Sequence, residues 1–216
     1  PNQVYVIPPN ATLTVDDGIL RLSTPVQARG HRAPINLFFR SLAEDQGENA
    51  VCIILSGTGS DGTIGMKSIK EFGGLAIAQG SSTAKYDSMP RNAVVTGLVD
   101  YVLPVEDIPA KLIEYARHRA GLQANLGEDG MLPEAADYLR QICSLLRRRI
   151  GHDFSSYKQG TLIRRIQRRI QITQTASVEA YVTHLKADAE EVSLLFKDLL
   201  IGVTHFFRDP EAFDAL

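Results

Sequence analysis

A chain of 216 residues with 44% hydrophobic and 22% charged residues has the composition of an ordinary globular protein, long enough for one large domain or two modest ones. No apolar run approaches the ~20 residues of a membrane span and no signal peptide leads the sequence, which excludes membrane insertion and makes the cytosol the expected compartment. Cys52 and Cys143 are far apart and flanked by apolar residues, so buried reduced thiols are expected and zinc spacing is absent.

In chain order, residues 4–7 predict a short strand closed by Pro8 and Pro9, which cannot continue a ladder. Residues 12–15 and 19–22 alternate around Asp16, Asp17 and Gly18, predicting a β-hairpin added antiparallel to a parallel sheet. An irregular loop with Arg29, His31 and Arg32 follows. Pro34 then opens a helix with Leu37, Phe38 and Leu42 on its apolar side.

Residues 50–79, AVCIILSGTGSDGTIGMKSIKEFGGLAIAQ, organise this half of the chain. An apolar run feeds a glycine-rich turn. A helical segment follows with Ile64, Met66, Ile69 and Phe72 spaced for one buried face, and a second apolar run ends at Gln79. Such a β-loop-α-β unit predicts parallel strands in a doubly wound sheet, with functional groups in the loops at the strands' carboxyl ends.

The turn SGTGSDG supports two readings. Gly57, Gly59 and Gly62 satisfy the G-x-G-x-x-G dinucleotide fingerprint, but Asp61 lies where a pyrophosphate would sit and would repel it, and the strand ending at Gln79 and Gly80 offers no acid for a ribose. Asp61 is also a favoured N-cap for the helix behind it, complementing the helix dipole.

Beyond Gln79, residues 80–97 predict a polar loop and one short helix ending at Gly97, and residues 99–103 predict another strand. Asp107 and Pro109 then start a helix with Ile108, Leu112, Ile113 and Ala116 at helical spacing. Residues 120–133, with three glycines, few apolar residues and a terminal proline, predict a linker between an α/β domain over 1–119 and a small all-α domain over 134–216. The helical part has expected breaks near Gly151, Gly160 and residues 173–177. Pro1 in place of a methionine, and a helix start at Asp209 and Pro210 that stops at Leu216, suggest a piece of a longer polypeptide.

The net charge is only −2, yet Arg140, Arg147, Arg148, Arg149, Lys158, Arg164, Arg165, Arg168 and Arg169 face the single acid Asp153 within residues 140–172. On a helix, Leu162, Ile163, Ile166 and Ile170 share one arc, and Arg164, Arg165, Arg168 and Arg169 are expected on an opposite, outward arc. A solvated face is one reading. Like charges at these spacings repel by roughly a few tenths of a kcal/mol per pair, which favours an acidic partner. With no tryptophan and no aromatics among the arginines to stack bases, an acidic protein surface is expected rather than nucleic acid.

Through Arg119 the chain resembles the catalytic domain of the chemotaxis protein-glutamate methylesterase family: VYVIPPN, the hairpin, INLFFRSLA, LSGTGSDGTIGM, IAQ, YDSMPRNAV and VDYVLP fall in the family's order. The second half resembles the amino-terminal helical domain of the chemotaxis protein methyltransferase family through YKQGTLIRRIQRRI and LLIGVTHFFRDPEAFDAL. Together they resemble hybrid methylesterase-methyltransferase signalling proteins.

The first resemblance implies a cofactor-free serine esterase that hydrolyses glutamate methyl esters on chemoreceptors with a Ser, His and Asp triad. Asp61 matches the triad aspartate, which orients the catalytic histidine, and Thr58, where methionine is usual, matches a position whose backbone N–H faces the oxyanion. The family's serine and histidine motifs lie upstream of Pro1. Ser60 has Thr58 two positions before it, so no G-x-S-x-G occurs, and loop position favours His31 as a surface histidine.

The second resemblance implies transfer from S-adenosylmethionine, with Thr204, Phe206, Phe207 and Arg208 meeting the cofactor and Arg164, Arg165, Arg168 and Arg169 approaching acidic receptor helices. The Rossmann-like domain that transfer needs would follow Leu216. The expected function is thus that of a fragment of a bifunctional receptor-modifying enzyme, inactive by itself. The alternative is a non-catalytic docking scaffold in a signalling protein.

Overall fold

The computed structural model describes residues 3–26, 28, 32–128 and 130–201. It divides into two compact units, residues 1–111 and 112–216.

The first unit opens with a hairpin, β1 (Thr12–Asp16) and β2 (Ile19–Ser23), in register from Thr12 opposite Ser23 to Asp16 opposite Ile19. Its two-residue loop, Asp17 and Gly18, has positive φ at both positions, the mirror-image turn whose twist matches that of paired strands. The hairpin was expected to extend the parallel sheet; it forms its own two-stranded sheet instead. It is tied to helix α1 (Pro34–Gln46), where Ser41 Oγ accepts from Val15 N–H at 3.1 Å and the Asp45 carboxylate accepts from Gly18 N–H at 3.2 Å. The Gln46 side-chain bond most of all, and then the Gly18 N–H, hold the Asp45 carboxyl below its ordinary pKa. The strand expected at residues 4–7 is not formed, and Val4 and Val6 are exposed.

After a 3₁₀ turn at Gly47–Asn49 come β3 (Val51–Ile54), α2 (Thr63–Glu71), β4 (Leu75–Gln79), α3 (Ser88–Val95) and β5 (Tyr101–Leu103). The three strands run parallel in the order β3-β4-β5, as the alternating apolar runs predict. All five residues of β4 are buried, because the central strand of a parallel sheet is covered on both faces. The core gathers Phe39 and Ala43 of α1, Cys52 and Ile54 of β3, Met66 and Ile69 of α2, and Ala76 and Ala93. Ile64 and Phe72, expected on the buried face of α2, are exposed; Gly65 takes the place of contact, with α1 packed against it. A buried ion pair closes the amino end of the sheet: Lys70 Nζ lies 2.6 Å from Asp100 Oδ1, and Asp100 Oδ2 accepts from Ala76 N–H.

The units divide between residues 111 and 112, within helix α4 (Ile108–Gln123) and ahead of the boundary expected at 119. Tyr115, Arg119 and Leu122 are the buried residues of its latter part, whereas Ile113 and Ala116, read as apolar-face positions, are exposed. Tyr115 Oη donates to Gln171 at 3.3 Å and His118 Nε2 lies 3.0 Å from Thr175 O. The expected linker is therefore structured in part: Leu122 and Leu132 enter the helical core and Leu126 and Met131 pack against it. Sparse apolar residues do not make a linker when the large ones among them pack into or against a core.

The second unit continues with α5 (Ala135–Ile150), α6 (Gln159–Thr173), α7 (Val178–Ala187) and α8 (Ala189–Leu200). Gly151, with φ 84°, terminates α5, and Ser177 caps α7 by accepting from Ala180 N–H. The break expected near Gly160 falls earlier, since α6 already includes that glycine. A further break at Asp188 parts α7 from α8: its N–H donates to His184 O while its carboxylate caps Glu190 and Glu191 N–H. Ile142, Leu146, Ile166, Ile170, Tyr181, Leu185 and Leu195 fill the core. Among the described residues no helix is long and apolar enough to cross a membrane.

Candidate active-site loop

The loop of residues 55–62 leaves the carboxyl end of β3, and Asp61 stands near its end. It does not stand at the N-cap of the helix that follows: that position is Gly62, which has no side chain to cap with. Its carboxylate reaches across 25 residues to the amino end of α1, where Oδ2 accepts from Ile35 N–H at 3.0 Å and Oδ1 from Asn36 N–H at 3.0 Å. Pro34 has no N–H to offer, and Ala33 at the N-cap of α1 has no polar side chain, so Asp61 satisfies orphan donors of a helix distant in sequence.

Asn36 returns the contact. Its Oδ1 accepts from Gly62 N–H at 3.0 Å and from Gly65 N–H at 2.8 Å, while Asp61 Oδ1 also accepts from Gly62 N–H at 2.8 Å. The two helix starts are thus locked to each other through one carboxylate and one amide. Gly62 adopts φ 93° with Ile35 packed on it, so a β-carbon would be both strained and 2.9 Å from Ile35 Cγ2.

Three backbone donors occupy three of the roughly four acceptor positions of the Asp61 carboxylate, and the remaining one is on Oδ2. A partly exposed carboxylate fixed in orientation, with one acceptor position left, suits a single further N–H donor. It does not suit a pyrophosphate, because a fixed anion already stands at the loop's end and the Gly62 and Gly65 N–H groups at the start of α2 are already taken by Asp61 and Asn36.

Thr58 stands three residues earlier, exposed, and among the described residues no acceptor meets its N–H. The loop around it is pinned. Ser56 N–H donates to the buried Gln79 Oε1 at 2.8 Å, and Gln79 Nε2 donates to Thr83 Oγ1 at 3.2 Å. Gly57 N–H donates to Tyr86 O, and Ser88 and Asn92 of α3 bond the backbone of Gly57 and Gly59. Asn36, Gln79, Ser88 and Asn92 received no role from the sequence; their one signal was position in runs recognised only as motifs.

In the helical unit the expected outward arc of four arginines is corrected. Arg164 is exposed and Arg165 half-buried, but Arg168 and Arg169 are each only 4% exposed. Arg168 Nη1 lies 2.6 Å from Asp198 Oδ2; Arg169 forms a two-pronged pair with Glu191, its Nε 2.9 Å from Oε1, and Tyr181 Oη donates to the same oxygen at 2.7 Å. Burial pulls the Arg169 guanidinium down, but Glu191 and then Asp198 outweigh it and hold the pKa above its ordinary value. The carboxylates that permit this burial are seven residues apart on α8, out of reach of any reading of α6 alone. Asp188 followed by Glu191 was the available signal, an N-cap with an acid three residues on. Thr204, Phe206, Phe207, Arg208 and His31 lie outside the described residues.

Residues 1–112 match the family model for CheB methylesterase, and residues 137–200 match that for the all-alpha domain of CheR methyltransferase. A Rhodobacter capsulatus protein named as an uncharacterized 104.1 kDa protein is 36% identical over 99% of this chain and 24% of its own length. A protein-glutamate methylesterase/protein-glutamine glutaminase of Pseudomonas aeruginosa is 39% identical over 47% of this chain and 29% of its own length. The crystal structure of the Thermotoga maritima CheB methylesterase catalytic domain aligns at a TM-score of 0.46 with 31% identity, over 51% of this chain and 60% of that one. The chain spans less than a third of the length of these two curated relatives. Because the CheB methylesterase family model matches more than half of the chain, the chain belongs to that family, and later in its sequence it carries the all-alpha domain of the CheR methyltransferases.

Proposed function

We propose that this chain supplies the aspartate and the oxyanion loop of a protein-glutamate methylesterase site, within a longer cytoplasmic polypeptide that both removes and adds methyl groups on chemoreceptor glutamates. The observation that carries the reading is the Asp61 carboxylate, held by three backbone N–H groups at the carboxyl end of β3 with one acceptor position left. A triad aspartate needs that arrangement: it accepts one imidazole N–H, fixes the tautomer, and stabilises the imidazolium formed as the histidine takes the serine proton.

In this reading the serine and histidine belong to the preceding part of the domain. The serine attacks the ester carbonyl, the Thr58 N–H meets the oxyanion, methanol leaves, and water releases the glutamate. The all-alpha unit would present Arg164 and Arg165 to an acidic receptor helix, with Arg168 and Arg169 kept for its own core. S-adenosylmethionine would serve the methyltransferase part. The described helices hold no glycine-rich loop for it, and the residues expected to meet it, Thr204, Phe206, Phe207 and Arg208, lie outside the described residues.

The test is Asp61→Asn in the full-length protein, following methanol release from a methylated receptor peptide. A fall of about 10⁴-fold in kcat is expected, as when a triad aspartate is neutralised. An unchanged kcat would favour a docking scaffold that uses Asp61 only to join two helices.

A further inference from the structure

We propose that Ser88 and Asn92, on the first two turns of α3, are positioning residues that clamp the Thr58 peptide as the oxyanion donor; the proposal rests on the esterase reading of this loop. The clamp grips both sides of Thr58. On one side Gly57 N–H donates to Tyr86 O at 2.8 Å, and Gly57 O accepts from Met89 N–H at 3.1 Å and from the Ser88 hydroxyl at 3.3 Å. On the other side Gly59 N–H donates to the same Ser88 oxygen at 3.2 Å, and Gly59 O accepts from Asn92 Nδ2 at 2.8 Å.

One hydroxyl therefore donates to the residue before Thr58 and accepts from the residue after it, which is within the capacity of a serine. The backbone needs such restraint. Glycine on each side makes this peptide the one most able to rotate, and Gly59 already has φ 90°. An oxyanion donor works only when its direction is set before the charge develops, because reorientation during the reaction would consume the gain. Packing supports the same placement: a β-carbon on Gly57 would come 3.2 Å from Met89 Sδ, so loop and helix are in contact there. Gly57 and Gly59 are bonded on both sides, while Thr58 N–H, between them, meets no acceptor among the described residues.

The experiment uses the full-length protein with Ser88→Ala, Asn92→Ala, the double variant and Ser88→Thr, with Asp61→Asn as control. Methanol release from a glutamate methyl ester peptide gives kcat and KM, and phenylboronic acid, whose tetrahedral adduct places an oxygen at the oxyanion position, gives an inhibition constant. The double variant is expected to lose about 10- to 100-fold in kcat, short of the ~10²–10³ for outright loss of a donor, with KM within about twofold. Boronate affinity should fall by a similar factor, and Ser88→Thr, which keeps the hydroxyl, should recover most of the loss. A merely structural contact would lower the melting temperature without this parallel between kcat and boronate binding. If Asp61→Asn abolishes turnover while the double variant keeps wild-type kcat, or changes KM alone, the clamp is refuted and the esterase site stands. If Asp61→Asn keeps full turnover, the esterase reading fails and takes the clamp with it.

Discussion

Asn36 and Asp61 hold each other across two helix starts: the Asn36 N–H donates to Asp61 Oδ1, and the Asn36 side chain accepts from the two glycine N–H groups that follow Asp61. The same carboxylate thus serves folding and, in the proposed reading, chemistry. Asp61→Asn is consequently not silent in the fold. Its amide oxygen can take the two donors at Oδ1, but the NH₂ then confronts the Ile35 N–H, leaving a donor unmet at a cost of about 1–3 kcal/mol. A melting curve should accompany any rate measured on that variant, and the ~10⁴-fold loss should persist at temperatures where it is fully folded.

Gly65→Ala should disturb the site without removing a polar side chain. The new methyl would lie 2.7 Å from Phe39 Cβ and 2.8 Å from the Asn36 backbone, so α1 must move away from α2. Overpacking of this kind costs about 1–3 kcal/mol, and the displacement carries the Ile35 and Asn36 donors off Asp61. Thermal unfolding should show the loss. A variant with unchanged stability would mean that the two helices have room that this packing denies.

Lys70→Met removes the ammonium that faces Asp100 at 2.6 Å, where the aspartate side chain has no exposure. Breaking a buried pair by one partner costs about 3–5 kcal/mol, more than its worth as a pair, because the remaining charge stays desolvated. Urea denaturation is expected to show a shift of that order. A shift below ~1 kcal/mol would match the value of a surface pair and contradict the observed burial.

The arginines of α6 should separate into two classes. Arg168→Glu sets a carboxylate against Asp198 in the core and should unfold the helical unit, seen as lost helical circular dichroism. Arg164→Glu with Arg165→Glu should leave the fold intact and weaken binding to an acidic receptor segment, with a flatter dependence on salt than the wild type. Equal affinities and salt slopes would leave these two as solvated charge.

Tyr181 gives the helical unit a dependence on alkaline pH. Burial pushes its phenol well above the ordinary 10.0, Glu191 beside it adds to the rise, and Arg169 opposes in part. A pKa raised by folding contributes stability that is complete below the unfolded value, near pH 10, and is lost as pH climbs from there toward the folded value. Denaturation at about pH 9 and pH 11 should show a steeper decline for the wild type than for Tyr181→Phe. Parallel declines would remove Tyr181 from the linkage.

The parallel β-loop-α-β core, the hairpin turn and the apolar face of α6 were legible in the sequence because each depends on spacing within a few residues. Asp61 was legible as a residue of interest, since a carboxylate in a glycine-rich turn at a strand's end has few roles. Which helix it served was not. Its partners lie 25 and 26 residues upstream, and a local reading assigned it to the helix it precedes rather than to the one it caps. The same limit misplaced Arg168 and Arg169: helical periodicity says that two side chains share an arc, but not that α8 brings Asp198 and Glu191 over that arc and makes its burial tolerable. Periodicity is a property of one segment, whereas desolvating a charge is settled by whichever distant segment supplies the counter-charge, and only the tertiary structure decides that.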